Sequence, residues 1–181
     1  MYNQSGHMSD RVRFRKLDAS DLQLLKELAT ITFVQSHGHS APAKDIETYL
    51  NSALDEKSIL KELADEESLF YFIELDGTPV GYSKIVLNAP FENADSNAFT
   101  KLERIYLLEA HHGQKLGLGL LEFNIELAKE AGQLGIWLFT WVENHKAIDF
   151  YLRFGFEING EHDFRISPTH VNPNHQMLLT W

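Results

Sequence analysis

The chain has 181 residues, 44% hydrophobic and 12% aromatic, with no cysteine and 16 basic against 26 acidic residues, a formal charge of −10. That length suits one domain with a substantial core, and the lack of cysteine excludes disulfide bracing, thiol nucleophiles and zinc–cysteine sites together. The acidic balance opposes the phosphate contacts that nucleic-acid binding needs, while drawing small cations such as amines. No run approaches the roughly 20 apolar residues that cross a bilayer. The polar start also lacks a signal-peptide pattern, so a cytoplasmic protein with neither nucleic-acid nor membrane partners is expected. Met1 to Met8 show no periodicity, and Ser5, Gly6, His7 and Met8 read as a cloning remnant or disordered start before a second candidate initiator. Residues 9–181 are expected to form the single domain.

Val12, Phe14 and Leu17 mark a first strand over Arg11 to Leu17, after which Asp18, Ser20 and Asp21 supply helix-capping chemistry. Leu22, Leu25, Leu28, Ala29 and Phe33 recur at three- and four-residue intervals, which predicts a helix with one apolar face ending in Ser36 to Ser40. Asp45 to Leu54 and Glu56 to Ala64 resume helical spacing with many acids and read as a helical insert over the sheet edge. Leu69 to Leu75 and Val80 to Asn88, parted by Asp76, Gly77, Thr78 and Pro79, predict an antiparallel hairpin. A polar loop to Asn97 precedes a strand over Leu102 to Leu108. A helix from about Gly117 to Ala131 carries Leu120, Leu121, Ile125 and Ala128 on one face. Ile136 to Val142 is nearly continuous in apolar residues, as a parallel strand covered on both faces would be. Asn144 to Phe154 follows as a helix. Phe156 to Phe164 and Met177 to Trp181 read as closing strands joined by a loop containing Pro168 and Pro173.

Chemistry concentrates after the strand ending at Leu108. His111, His112, Gly113, Gln114, Lys115, Leu116, Gly117, Leu118 and Gly119 open a helix there, and unpaired N–H groups at a helix start favour an anion. A simple turn with a helix start accounts for the same residues. The histidine pairs His37 with His39 and His111 with His112 lack the i, i+4 spacing of helical zinc sites, so no metal is expected. The acids Asp55, Glu56, Glu62, Asp65, Glu66 and Glu67 read as a solvated helix face, or as a lip that attracts cations.

This succession of strand, phosphate loop, helix and apolar strand, then Asn144 and Tyr151 ahead of Gly155 and Phe156, resembles the GNAT superfamily of N-acetyltransferases from about Arg11 onward. Leu102 to Leu107, Ile136 to Leu138 and the Asn144 to Phe156 segment are most similar to polyamine acetyltransferases of the PaiA type. The resemblance implies a mixed α/β fold, with a central mixed sheet of about seven strands flanked by helices. Its parallel strands, 102–108 and 136–142, would splay around acyl-CoA. The family's phosphate motif, Arg or Gln, two residues, Gly, one residue, Gly or Ala, fits in two registers. Gln114, Gly117 and Gly119 match literally; counting from the strand instead puts His112, Lys115 and Gly117 at those positions, and this second register is preferred. Both implicate His112, Gly113, Gln114, Lys115, Leu116, Gly117 and Leu118 in holding the pyrophosphate of acetyl-CoA.

By the same resemblance Ile105, Tyr106 and Leu107 offer backbone groups to the pantetheine arm, and an N–H there polarises the thioester carbonyl. A protonated amine cannot attack until it loses a proton, so a base is required; Glu103 matches a family glutamate and is the candidate. Tyr151 stands at the position of the acid that protonates the leaving sulfur. Asn144, seven residues earlier, lies two helical turns away and can face the same cleft. Each has a plainer reading: a salt bridge or exposed strand carboxylate for Glu103, aromatic packing beside Phe150, Phe154 and Phe156 for Tyr151, a helix cap for Asn144. The implied reaction is direct acetyl transfer in a ternary complex to a small primary amine, with spermidine or spermine as the candidate class. A protein N-terminus or lysine is the rival acceptor, and a non-catalytic acyl-CoA-binding module the rival class. Dimers are common in the superfamily, so a homodimer is admitted.

Overall fold

In the computed structural model, which describes residues 11–181, strand β1 (Val12–Lys16) turns through a short 3-10 helix, Ala19–Asp21, into helix α1 (Leu22–His37). The segment Met1 to Met8, read above as a remnant, lies outside the described residues. Asp18 accepts from the Ser20 amide at 2.8 Å, and Asp21 accepts from the Asp18 amide at 3.1 Å. This reciprocal cap fixes where the chain enters α1. The expected insert forms α2 (Ala43–Ala53) and α3 (Glu56–Leu63), the second capped by Asp55 on the Ser58 amide. Strands β2 (Ser68–Leu75) and β3 (Thr78–Val86) make the antiparallel hairpin. Asp76 and Gly77 both take positive φ, 51° and 78°, which a two-residue turn needs to follow the twist of its strands.

Next come β4 (Phe99–Leu107), α4 (Leu116–Glu130), β5 (Gly135–Trp141), α5 (His145–Phe154), β6 (Glu157–Ser167) and β7 (His170–Thr180). They complete a seven-stranded sheet ordered β1-β2-β3-β4-β5-β7-β6, in which β4 and β5 form the parallel pair. The mixed α/β class expected from the sequence is therefore the one found.

The end of the chain differs from the expected loop: β6 and β7 run on as a long hairpin whose turn holds Pro168, while Pro173 lies inside β7. The Pro173 carbonyl accepts from the Val142 amide at 3.0 Å, so Pro173 faces β5 just past its last residue, Trp141. Its missing N–H therefore removes no bond to β6.

The two faces of the sheet are packed differently. On one, α1, α2 and α3 enclose Leu25, Leu28, Leu50, Ile59, Phe70, Phe72 and Tyr82. On the other, α4 and α5 bury Leu120, Leu121, Ile125, Ile136, Leu138 and Met177. Full burial of a Leu or Ile contributes about 1.5–3 kcal/mol, so Leu120, Leu121 and Ile125 alone fix α4 firmly against the strands. Leu121→Ala, a change of about 2–5 kcal/mol at such a site, would loosen the helix whose first turn meets the end of β4.

Candidate active site

The parallel pair is brief. Phe99, Thr100 and Lys101 lie opposite Gly135, Ile136 and Trp137, and beyond them the strands part. β4 continues on β3 as far as Leu107, and β5 continues on β7 as far as Trp141. A wedge opens between them whose walls are two strand edges.

The pairing on the far side of β4 determines which of its peptide groups enter the wedge. Leu108 donates to the Val80 carbonyl at 2.9 Å, and the register sets Tyr82 opposite Tyr106 and Ser83 opposite Ile105. In an antiparallel ladder hydrogen-bonded and non-bonded pairs alternate, so the backbone of Tyr106 turns toward β3 while Ile105 and Leu107 turn theirs into the wedge. This corrects one expectation: Tyr106 has no main-chain group to offer a pantetheine arm, and what it presents is a side chain on the α1 face. Leu107 offers its N–H only, because His112 Nε2 donates to its carbonyl at 3.1 Å.

At the wedge mouth the chain passes through a 3-10 turn, Glu109–His111, and starts α4 at Leu116. Gly113 takes φ 76° and Lys115 φ 61°; the left-handed region suits glycine and strains lysine. The preferred register puts Lys115 at the motif's first glycine position, where the backbone takes a conformation suited to glycine. The Gly119 amide bonds the Lys115 carbonyl at 3.1 Å, so the amides left over at the helix start are those of Leu116, Gly117 and Leu118. Among the described residues no side chain caps them, and no acid occupies the first turn. A Cβ built on Gly117 would lie 3.4 Å from Leu107 Cδ1, which sets the first turn against the end of β4. His112, Gly113, Gln114 and Lys115 form the exposed rim.

Across the wedge, α5 is capped by Asn144, whose Oδ1 accepts from the Ala147 amide at 3.2 Å. The cap reading of Asn144 thus holds for its oxygen, leaving the amide nitrogen without a partner among the described residues. Tyr151 is buried on the α4/α5 face with its ring edge-on to Phe150 and Phe156. The ring packs as its plainer reading expects, and the hydroxyl has no hydrogen bond among the described residues. Burial, reinforced by the Tyr106 hydroxyl, holds the phenol well above its ordinary pKa, so it carries its proton.

Glu103 sits in a β-bulge. The register jumps from Lys84 opposite Arg104 to Ile85 opposite Leu102, leaving Glu103 as the extra residue. The irregularity breaks the alternation of a regular strand and brings the Glu103 carboxylate to Lys84, the cross-strand neighbour of Arg104. Lys101 Nζ approaches the other oxygen at 3.6 Å. Lys84 is itself buried, its side chain 4% exposed, and also meets Glu62 of α3 at 3.1 Å. Burial works to raise the Glu103 pKa, but the charge and hydrogen bond of Lys84 outweigh it and hold the group below the ordinary glutamate value. Glu103 is therefore an ionised carboxylate with a salt-bridge role, whatever else it does.

Some residues of the cleft escaped the sequence reading. His37, Tyr106 and Trp141 bridge the wedge on the α1 face, with ring centroids 6.1 and 6.2 Å apart, and His39 adds a contact to Trp141 at 5.3 Å. Burial holds the His37 pKa down at about 4, so it is neutral at pH 7. Among the described residues no cluster of His, Asp and Glu is arranged to hold a metal. Lys84, a cation interrupting an apolar strand, was a visible signal that went unused. No described helix is long and apolar enough to cross a membrane.

A sheet parted between its parallel strands, with an uncapped helix start at the opening, defines the class of acyl-CoA acetyltransferase folds, and comparison with known proteins agrees. The family model described as Acetyltransferase (GNAT) family matches residues 25–156, and the chain belongs to that family. It is 31% identical over 154 residues to an uncharacterised N-acetyltransferase of Lactobacillus delbrueckii subsp. lactis, covering 84% of this chain and 88% of that one. It is also 31% identical over 107 residues to the spermine/spermidine N(1)-acetyltransferase of Bacillus subtilis, covering 56% of this chain and 70% of the relative. Its fold matches the crystal structure of the PaiA N-acetyltransferase of Thermoplasma acidophilum in complex with coenzyme A. The TM-score is 0.77 at 22% identity, over 94% of this chain and 99% of the other.

Proposed function

We propose that this protein transfers the acetyl group of acetyl-CoA to a primary amine by direct attack within a ternary complex. The observation that carries the reading is the wedge itself: among the described residues the N–H and C=O of Ile105 and the N–H of Leu107 line it without partners, and the uncapped amides of Leu116, Gly117 and Leu118 stand at its mouth. The first set suits an extended amide-bearing arm; the second suits a diphosphate. His112, Gly113, Gln114 and Lys115 complete the rim around that diphosphate, with Lys115 adding a positive charge. In this reading the side-chain nitrogen of Asn144 donates to the arm from the opposite wall.

The chemistry follows from these positions. The amine nitrogen attacks the thioester carbonyl carbon, and the Ile105 N–H stabilises the negative charge that develops on oxygen. As the C–S bond breaks, Tyr151 gives its proton to the sulfur, a transfer suited to a phenol kept protonated by burial. The proton shed by the amine passes to Glu103 directly or through water; a carboxylate held low by Lys84 relays it to solvent rather than keeping it. The spermine/spermidine relative supports a polyamine as acceptor, and residues 9–181 are read as one cytoplasmic domain.

The test is a free-thiol release assay with acetyl-CoA against polyamines, other small amines and peptides. Acetylation with intersecting double-reciprocal lines is expected. Parallel lines would mean a covalent acetyl-enzyme and would refute direct transfer; binding of CoA with no acetylation of any amine would point to a non-catalytic module.

A further inference from the structure

Three cations and two carboxylates meet on the α1 face of the wedge: Lys84, Lys101 and Arg104 against Glu62 and Glu103. Both carboxylates are engaged by Lys84, and Lys101 shares Glu103 while lying over the rings of Trp137 and Phe139. Arg104 has nothing. Among the described residues its guanidinium makes no ion pair and no hydrogen bond, and Nη1 is a buried atom without a partner. Its surroundings are the phenols of Tyr82 and Tyr49, with Glu62 and Glu103 near enough to act on its charge; Glu103 is held by Lys84, while Glu62 Oε2, 3.1 Å from Lys84 Nζ, is itself a buried atom without a hydrogen-bond partner among the described residues. In a chain with a formal charge of −10, a surplus cation at this spot is conspicuous. A half-buried charge left unpaired is costly, and acids are plentiful elsewhere in the sequence.

The position matters as much as the charge. Arg104 precedes Ile105, whose N–H faces the thioester in the reading above, and its side chain shares the α1 face with Tyr106, two residues along the strand. That face lies opposite α4 and its uncapped amides, so the guanidinium stands on the acceptor's side of the wedge rather than beside the diphosphate. A guanidinium presents a planar fork of donors that matches a carboxylate with two parallel bonds.

We infer that Arg104 is the anchor for a carboxylate on the acceptor, so that the amine this protein acetylates belongs to an amino acid rather than to a bare amine. The inference rests on the acetyl-transfer reading and narrows its acceptor, setting an amino-carboxylate against the polyamine that the Bacillus relative supports. The preference would follow from electrostatics: a polyamine brings further cations to a face that already holds one too many, whereas a carboxylate neutralises Arg104 and fills its empty donors.

The experiment uses matched pairs that differ by one carboxylate: lysine and cadaverine, ornithine and putrescine, tyrosine and tyramine. In the wild-type protein the amino acid should lead in kcat/KM by about 10- to 100-fold in at least one pair, the range of a charge-assisted hydrogen-bond pair. Arg104→Gln should erase that lead while leaving the affinity for coenzyme A and the far-ultraviolet circular dichroism unchanged. Should R104Q fail to fold, Arg104→Lys carries the test, since it keeps the charge and removes the fork, and a clear fall in the same preference is expected. A decarboxylated amine preferred in every pair, or a preference that survives both variants, overturns the inference. The acetyl-transfer reading falls separately, if no amine in any pair is acetylated. The subsite is then read by binding: N-acetyltyrosine, but not N-acetyltyramine, should raise the melting temperature of the CoA-saturated wild type and not of R104Q. Equal effects of the two compounds overturn it.

Discussion

Lys115→Gly separates two opposed effects of one residue. Lys115 precedes the first residue of α4 with φ 61°, and holding a side-chain-bearing residue in the left-handed region costs about 1–2 kcal/mol. Its charge also sits at the positive end of the helix dipole, which is unfavourable while no anion is bound. Glycine removes both penalties but loses about 0.5–1 kcal/mol through the greater freedom of the unfolded chain. The balance is a gain of about 1 kcal/mol, which for a chain of this size raises the melting temperature by about 2–4 °C. Coenzyme A should bind K115G about 2- to 5-fold more weakly, as expected for one exposed charge contact, and the difference should shrink as salt is added. Calorimetric titration and thermal melting with and without coenzyme A read both effects. A lower melting temperature in K115G would refute the left-handed assignment. Unchanged affinity at low salt would refute the placement of Lys115 beside the diphosphate.

Tyr151→Phe keeps the aromatic packing and removes the proton, so turnover should fall by about 100-fold or more while coenzyme A binding is retained; unimpaired turnover in the thiol-release assay would exclude it as the acid. Glu103→Gln leaves buried Lys84 with Glu62 alone and should lower stability by about 1–3 kcal/mol in urea melts. Because the folded pKa of Glu103 lies below its unfolded value of 4.5, that stabilisation is present above pH 4.5 and is lost as the pH falls through the folded value. His37 has a folded pKa of about 4 against 6.5 when unfolded. The unfolded chain therefore binds the extra proton between those values, and stability should decline by about 3 kcal/mol as the pH drops from 6.5 to 4. Urea midpoints over that range should show the slope in the wild type and a flatter one in His37→Phe.

Much of the fold was legible because periodicity and turn chemistry are local. The apolar spacing of Leu120, Leu121, Ile125 and Ala128, the Asp76–Gly77 turn and the run Ile136 to Val142 each specified their element unaided. The extent of β6 and β7 was hidden because two prolines normally argue for a loop; whether Pro173 breaks a ladder depends on where β5 ends, which no local pattern records. The site was legible in its order along the chain and less so in its directions. Which backbone groups of β4 face the wedge is set by the pairing of β3, and that pairing turns those of Ile105 and Leu107 into it but not those of Tyr106. The bulge at Glu103 is likewise a product of how β3 and β4 meet. Regular alternation would put Glu103 and Arg104 on opposite faces; the register shift instead brings Glu103 to Lys84, the cross-strand neighbour of Arg104.

The two faces of the sheet divide the work, and the division explains why the cofactor side was easier to read. Every group proposed for the thioester and diphosphate is either a peptide unit of the β4 edge or lies with α4 and α5, where the geometry follows from strand register and a buried helix face. Backbone donors tolerate changes of side chain, so such a site survives wide divergence and leaves a recognisable order of elements. The other face is built from side chains supplied by distant segments: His37 at the end of α1, Tyr49 in α2, Glu62 in α3, Lys84 in β3, Arg104 in β4 and Trp141 in β5. If the acceptor approaches from there, as proposed, its identity depends on charges that can change one residue at a time without disturbing the wedge. A relative that keeps the wedge but supplies a carboxylate opposite Arg104 would accordingly lose any demand for an acidic acceptor, although both chains would fold alike and bind the same donor.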